Sequence, residues 1–214
     1  MRHASIFAAG VLTLSAVTTA RAQTPAADKP LYAMFTTGAT VGHSTGALFG
    51  VEAGWRLNST WEAFIEGGRM LDTATSEMDS AATVIAQFLG ASATFTTKQP
   101  VTYFDVGVRY KLPIAKRLHP YLAAGVGAAN VSRDVAFLVA GNDVTSQLLD
   151  QYGVLLGSDL AGKETRALVI VGVGAQMHLI REMFADFSYR YGRIFLSEAG
   201  LNTNRAQIGI GIGF

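Results

Sequence analysis

The eleven residues from Asn204 to Phe214, N-R-A-Q-I-G-I-G-I-G-F, constrain this fold more than any other segment. Ala206, Ile208, Ile210, Ile212 and Phe214 fall on one side of an extended strand, and Arg205, Gln207, Gly209, Gly211 and Gly213 fall on the other. This is strict period two. The apolar side requires lipid or a core, while the small and polar side suits a crowded or wet interior. A soluble edge strand ending in I-G-I-G-F is an aggregation hazard. A membrane-spanning β-strand needs this division, apolar outward and polar or small inward, over about ten residues.

The N-terminus reads as an export signal. Arg2 and His3 are basic, Ile6 to Val17 is mostly apolar, and Ala20-Arg21-Ala22 is an A-x-A site before Gln23. The apolar run is too short for a spanning helix, so residues 1–22 are expected to be a signal peptide. Residues 23–30 read as a polar linker, and 31–214 as one domain. The absence of cysteine excludes a lipoprotein anchor, disulfides and thiolate metal sites. A net charge of +1 offers no electrostatic case for nucleic acid. Apolar content of 50% with no run near 18 residues implies apolar surface dispersed over alternating segments.

Eight such segments can be traced. They are Leu31 to Val41, Ala47 to Leu57, Trp61 to Met70, Val101 to Leu112, Tyr121 to Val131, Ala167 to His178, Met183 to Ile194 and the C-terminal strand. The clearest internal one sets Phe104, Val106, Val108 and Tyr110 against Tyr103, Asp105, Gly107 and Arg109. An even count permits an antiparallel, up-and-down ring, and closure removes the edges that lipid cannot satisfy. The links after segments two, four and six are short, whereas 71–100 and 132–166 are long. Short turns belong on the periplasmic side and long loops outside, so both termini are expected in the periplasm. Within the long loops, Met78, Ala82, Ile85 and Leu89 recur at helical spacing. So do Val144, Leu148, Leu149, Tyr152 and Leu155 across Asp143 to Leu156, with Gly157 as the expected stop. The expectation is an all-β, eight-stranded transmembrane barrel with short helices in two long extracellular loops.

Segments such as W-E-A-F-I-E-G-G at 61–68, Y-F-D-V-G-V-R-Y at 103–110, P-Y-L-A-A-G-V-G at 120–127 and the terminal Gly213-Phe214 resemble one family throughout. The chain resembles the small eight-stranded outer-membrane β-barrels of Gram-negative bacteria, the OmpA-transmembrane-domain and OmpX-like group, over about Leu31 to Phe214. The resemblance implies outer-membrane lipid and lipopolysaccharide as surroundings. It also implies the barrel assembly machinery as a partner, with Phe214 as the assembly signal. The peptidoglycan-binding domain that follows the barrel in OmpA-type proteins is not expected here. Fold alone does not fix function in this group, which includes adhesins, structural anchors and lipid enzymes.

Candidate chemistry is sparse. Gly42-His43-Ser44-Thr45-Gly46 matches the G-x-S-x-G elbow in letters, but joins two strands and lacks the strand-to-helix context. His43, His119 and His178 are scattered, with no pair at metal spacing. Gly125-Val126-Gly127 and Gly172-Val173-Gly174 read as small, closely packed positions and not as a nucleotide site. No catalytic residue, cofactor or metal ligand is assigned.

The inward charges are the stronger signal. Glu52, Glu62, Glu66, Asp105 and Asp186 oppose Arg56, Arg109, Lys111, Arg190 and Arg205, and the signs nearly balance. An eight-stranded barrel holds little beyond side chains, and buried charges must pair. A salt-bridged plug is therefore expected. Outward Trp55, Trp61, Tyr110 and Tyr191 are expected at the membrane interfaces. The functional expectation is a non-enzymatic surface protein acting through loops 71–100 and 132–166. The alternatives are a narrow pore for ions or small solutes and a lipid-modifying enzyme.

Overall fold

The computed structural model describes residues 30–112, 118–180, 182–196 and 200–214. The expected signal peptide, and the linker apart from Pro30, lie outside the described residues. So do residues 113–117 and Arg181 of the expected short turns.

The strands are β1 (Leu31–Thr40), β2 (Ala47–Arg56), β3 (Trp61–Met70), β4 (Ala93–Lys98), β5 (Val101–Lys111), β6 (Leu118–Val139), β7 (Asn142–Asp143), β8 (Gly162–Ile180), β9 (Met183–Ile194) and β10 (Leu201–Gly213). Two helices, α1 (Ser76–Leu89) and α2 (Leu148–Tyr152), interrupt them. Eight strands form a closed antiparallel ring in the order β1-β2-β3-β5-β6-β8-β9-β10, and β10 returns to β1. The closing register runs from Tyr32 opposite Gly213 to Thr40 opposite Arg205. Phe214 N–H donates to the Leu31 carbonyl at 2.9 Å, so pairing continues to the last residue.

The C-terminal alternation survives as geometry. Ile210 is 52% exposed on the outside, while Gln207 is 4% exposed inside. Val106, Phe104, Val171 and Ile208 join the same outer apolar band. Replacing Val106 or Ile210 with arginine puts a charge into that band, with an expected cost of about 2–4 kcal/mol at mid-membrane. The measurement is folding into lipid vesicles, read by urea titration. Normal insertion of both variants would show that the band does not face hydrocarbon.

Inside, aromatic rings occupy the space that glycines leave. A Cβ on Gly54 would collide with the Tyr32 ring, and one on Gly174 with that of Tyr121. Gly211 gives the same room to Phe184, and Gly107 to Phe64. These inward glycines are thus matched one to one with rings from neighbouring strands.

The ring strands agree with the eight expected segments, but three of them are longer. β6 runs on to Val139, eight residues past the expected end at Val131. β8 begins at Gly162 instead of Ala167, and β10 at Leu201 instead of Asn204. The first extension has a partner the sequence reading missed. β4 pairs antiparallel with it, from Ala93 opposite Val139 to Lys98 opposite Asp134. Residues 71–100 therefore contain a helix and a strand. T-F-T-T-K is short, half-buried and flanked by a helix, so its alternation is weak as a strand signal.

The first helix forms where expected. Thr75 caps it by accepting from Met78 N–H at 3.3 Å, Glu77 and Asp79 sit in the first turn, and Gly90 closes it. The expected second helix, Asp143 to Leu156, is corrected to a 3-10 turn at Thr145–Gln147 followed by α2 alone. It stops at Gly153, which takes the left-handed conformation (φ 65°), and not at Gly157. Leu155 lies beyond the helix and is exposed, and within α2 Leu148 is buried while Leu149 is exposed, so neither Leu149 nor Leu155 joins the expected buried stripe. The two long connections share one core of Met78, Ala82 and Ala86 from α1 with Val135, Phe137, Val144, Leu148 and Leu160. They form a cap over the loop end of the ring.

Candidate functional site: the charged lumen and its cap

Strand register creates the lumen's electrostatic problem. Glu52 sits opposite Glu66, and Glu66 opposite Asp105, so three acids line one wall across β2, β3 and β5. Arg190 sits opposite Arg205 on the facing wall, across β9 and β10. Like charges side by side repel, and both rows are resolved across the lumen. Arg190 donates Nη2–H to Glu52 at 2.6 Å and Nη1–H to Glu66. Arg205 lies 3.8 Å from Glu66 and 3.9 Å from Asp105. These distances give Coulombic attraction without a direct hydrogen bond.

A second layer lies toward the chain termini, where Arg56, Glu62 and Arg109 alternate in one register row. Arg109 links the layers. Its Nη2 donates to both Glu52 oxygens at 2.9 and 3.1 Å, and its Nη1 to Glu62 at 3.3 Å. Arg56 reaches Glu62 at 3.2 Å, and Lys111 pairs with the same carboxylate. Asp186 accepts from the Tyr121 hydroxyl at 2.9 Å. Glu52, Glu62, Glu66, Asp105, Arg109, Asp186, Arg190 and Arg205 are all at most 2% exposed, and Arg56 is half-buried.

Tyrosines complete the network, and the sequence reading did not assign them a role. Tyr32 and Tyr103 donate to Glu52 at 2.8 Å and to Glu66 at 2.9 Å. Their rings also serve as platforms. The Arg109 guanidinium lies 4.2 Å from the Tyr121 ring centre, and that of Arg205 lies 4.3 Å from Tyr103. The available signal was position: Tyr103 shares a strand face with Asp105 and Arg109.

Outside the ring, Trp61 packs on Tyr110 with ring centres 5.0 Å apart at 60°. Trp55 and Phe214 are exposed on the same end, and Tyr191 toward the loops. His119 and His178, which the sequence left scattered, come together as edge-on rings 5.1 Å apart. Among the described residues, no group of three or more His, Asp or Glu could hold a metal ion.

At the loop end, His43 meets the cap. Its Nε2 lies 2.7 Å from Asp79 Oδ2 on α1, and Asp79 also accepts from the Thr97 hydroxyl on β4. These bonds, Thr97 first and His43 next, hold the Asp79 carboxyl below its ordinary pKa. Thr40 Oγ1 donates to the Asp72 carbonyl at 2.8 Å and ties β1 to the start of the cap. The G-x-S-x-G letters lie in the link between β1 and β2, which is strand-to-strand and not an elbow into a helix.

This chain belongs to the outer membrane protein beta-barrel domain family, whose pattern it matches over residues 7–214. It is a small outer-membrane β-barrel protein. Three solved structures share the fold. Neisserial surface protein A is 14% identical, with 86% of this chain and 96% of that one covered at a TM-score of 0.55. The N-terminal β-barrel domain of Pseudomonas aeruginosa OprF is 16% identical, with coverage of 88% and 100% and a TM-score of 0.52. A major outer membrane protein from Thermus thermophilus is 10% identical, with coverage of 86% and 99% and a TM-score of 0.56. No curated protein sequence matches the chain significantly.

Proposed function

We propose that this protein is a non-enzymatic outer-membrane surface protein that acts through its cap, with the barrel as a closed scaffold. The observation that carries this reading is the division of the molecule into two interiors. One is the lumen of the ring, which holds the charged layers and a buried apolar cluster that includes Leu48, Met70, Val101, Val131 and Ile194. The other is the separate apolar core that joins 71–100 to 132–166. Long connections of no use to the molecule have no reason to build a core of their own. The outer faces of these connections present Val84, Phe88, Leu149 and Leu155, each more than half exposed. In this reading the cap and the link 41–46 face outside, and both termini face the periplasm. Phe214 is the signal for the assembly machinery. The nine lumen residues from Glu52 to Arg205 serve to close the lumen, because opposed charges at contact distance leave no single-sign path for an ion.

Two measurements test the reading. Protease applied to intact cells is expected to cut within 71–100 or 132–166, and the refolded protein is expected to show no stepwise conductance in planar bilayers. Reproducible single-channel steps would replace the scaffold by the pore. Protection of both connections on intact cells would reverse the orientation.

A further inference from the structure

We infer that His119 and His178 form a binding site for a divalent transition-metal ion of the zinc class, at the mouth of the ring that carries the chain termini. The two side chains come from different strands. His119 stands near the start of β6 and shares its inward face with Tyr121. His178 stands near the end of β8 and shares its inward face with Gln176. The register sets His119 opposite Gln176, so His178 is its diagonal neighbour on β8. Far apart in sequence, the two show no metal spacing, and the β6–β8 ladder creates it. Their ring centres lie 5.1 Å apart. That separation suits one shared ion. A metal–nitrogen bond of about 2.1 Å, with about 1.1 Å more to the ring centre, puts each centre about 3.2 Å from the metal. Two such rings at a tetrahedral angle have centres about 5.2 Å apart. The ion fixes the angle between its bonds and leaves each ring free to turn about its own bond, so the 78° between the ring planes is compatible. Each imidazole has two ring nitrogens, and a ligating histidine uses the second to donate to another group.

The surroundings supply oxygen. The row that begins at His119 continues through Gln176 on β8 to Asp186 on β9. Gln176 is 1% exposed, and neither its amide oxygen nor its amide nitrogen has a hydrogen-bond partner among the described residues. Asp186 accepts from Tyr121 through one oxygen, while its other, Oδ2, has no such partner. Buried polar atoms are satisfied by protein, water or an ion. Gln176 Oε1 and Asp186 Oδ2 are thus acceptors for an ion or for the water it carries. The pair is also within reach of solvent, since His119 is half-buried and His178 is exposed. Lys111 stands opposite Tyr121 on β5, and Glu62 offsets its charge. Imidazole selects the class of ion. It suits zinc, copper and nickel, whereas calcium and magnesium take oxygen ligands.

The test uses the refolded full chain in detergent, without an affinity tag and carrying H3A and H43A, so that His119 and His178 are its only histidines. Zn2+ is titrated by calorimetry. Co2+ is added in a separate sample for its visible absorption, which is strongest in tetrahedral sites. One Zn2+ is expected to bind per chain with micromolar affinity. H119A and H178A are each expected to weaken it about tenfold or more and to abolish the Co2+ band. H119Q and H178Q keep more of the side-chain volume and serve where an alanine variant gives no folded band on an unboiled gel. Absence of saturable binding below about 1 mM Zn2+, or binding unchanged in the variants of both histidines, would overturn the site and leave an aromatic pair only. Binding of Mg2+ as tight as that of Zn2+ would overturn the imidazole chemistry.

Discussion

Glu52→Ala is expected to destabilise the barrel by about 3–5 kcal/mol, the range for removing one partner of a buried ion pair. Glu52 accepts from Arg109 twice, from Arg190 and from Tyr32, and is 2% exposed. Its loss leaves two fully buried guanidiniums with one fewer anion between them. Arg190 keeps Glu66, and Arg109 keeps Glu62, so the layers survive but their link does not. The appropriate contrast is Glu164→Ala in the cap. Glu164 bridges Arg133 at 2.7 Å and Arg166 at 2.8 Å in a partly solvated setting, where an exposed pair is worth only about 0–1 kcal/mol. Urea unfolding of both variants in the same detergent checks the difference. A Glu52→Ala barrel within about 0.5 kcal/mol of the parent would mean that water and not protein neutralises the lumen, and the closed scaffold would fall with it.

How much of this was legible in the sequence depended on which periodicity carried the information. Period two located all eight ring strands, because lipid outside and charge inside give each strand a contrast as strong as that between Ile210 and Gln207. It also placed Glu52 beside Glu66, since β2 and β3 are joined by a short turn that fixes their register. Facing and depth alone also pointed to Arg190 and Arg205 as partners of Glu52 and Glu66 across the barrel, although not to which atoms meet. Arg190 meets Glu52 across 138 residues of sequence, and that contact depends on how far each strand is staggered around the ring. Tyr32 was missed because a single tyrosine near a strand end reads as an interface aromatic as readily as an inward donor. The cap was read worst. β4 has half-buried residues on one face and exposed ones on the other, and its partner is an overlong extension of β6 that has no contrast of its own. In the second long connection, the sequence reading took Leu149 and Leu155 as part of a helical stripe. Gly153 ends the helix before Leu155, and within the single remaining turn Leu148 takes the buried side and Leu149 faces solvent.

Replacing residues 75–98 with a short Gly-Ser turn is expected to leave the barrel folded and to unfold the other half of the cap. The ring does not use this segment. The β3–β5 ladder begins at Met70 opposite Val101, and the β5–β6 ladder at Val101 opposite Val131. Each ring strand therefore keeps both neighbours, and closure keeps the backbone satisfied. The cap has no such reserve. Removing Met78, Ala82 and Ala86 strips one wall from the core that covers Val135, Phe137, Val144 and Leu148. Removing β4 also leaves Asp134 to Phe137 without their ladder partner, and Leu138 and Val139 with the two-residue β7 alone. A short strand pair with an uncovered apolar face is marginal in water. Residues 132–161 should then be cut rapidly by chymotrypsin, while the unboiled gel band still migrates as a folded barrel. If 132–161 stays protected, the two connections are independent units and the shared core contributes little. If the folded band disappears, the cap belongs to the barrel's own stability and is not a separately folded unit that a scaffold displays.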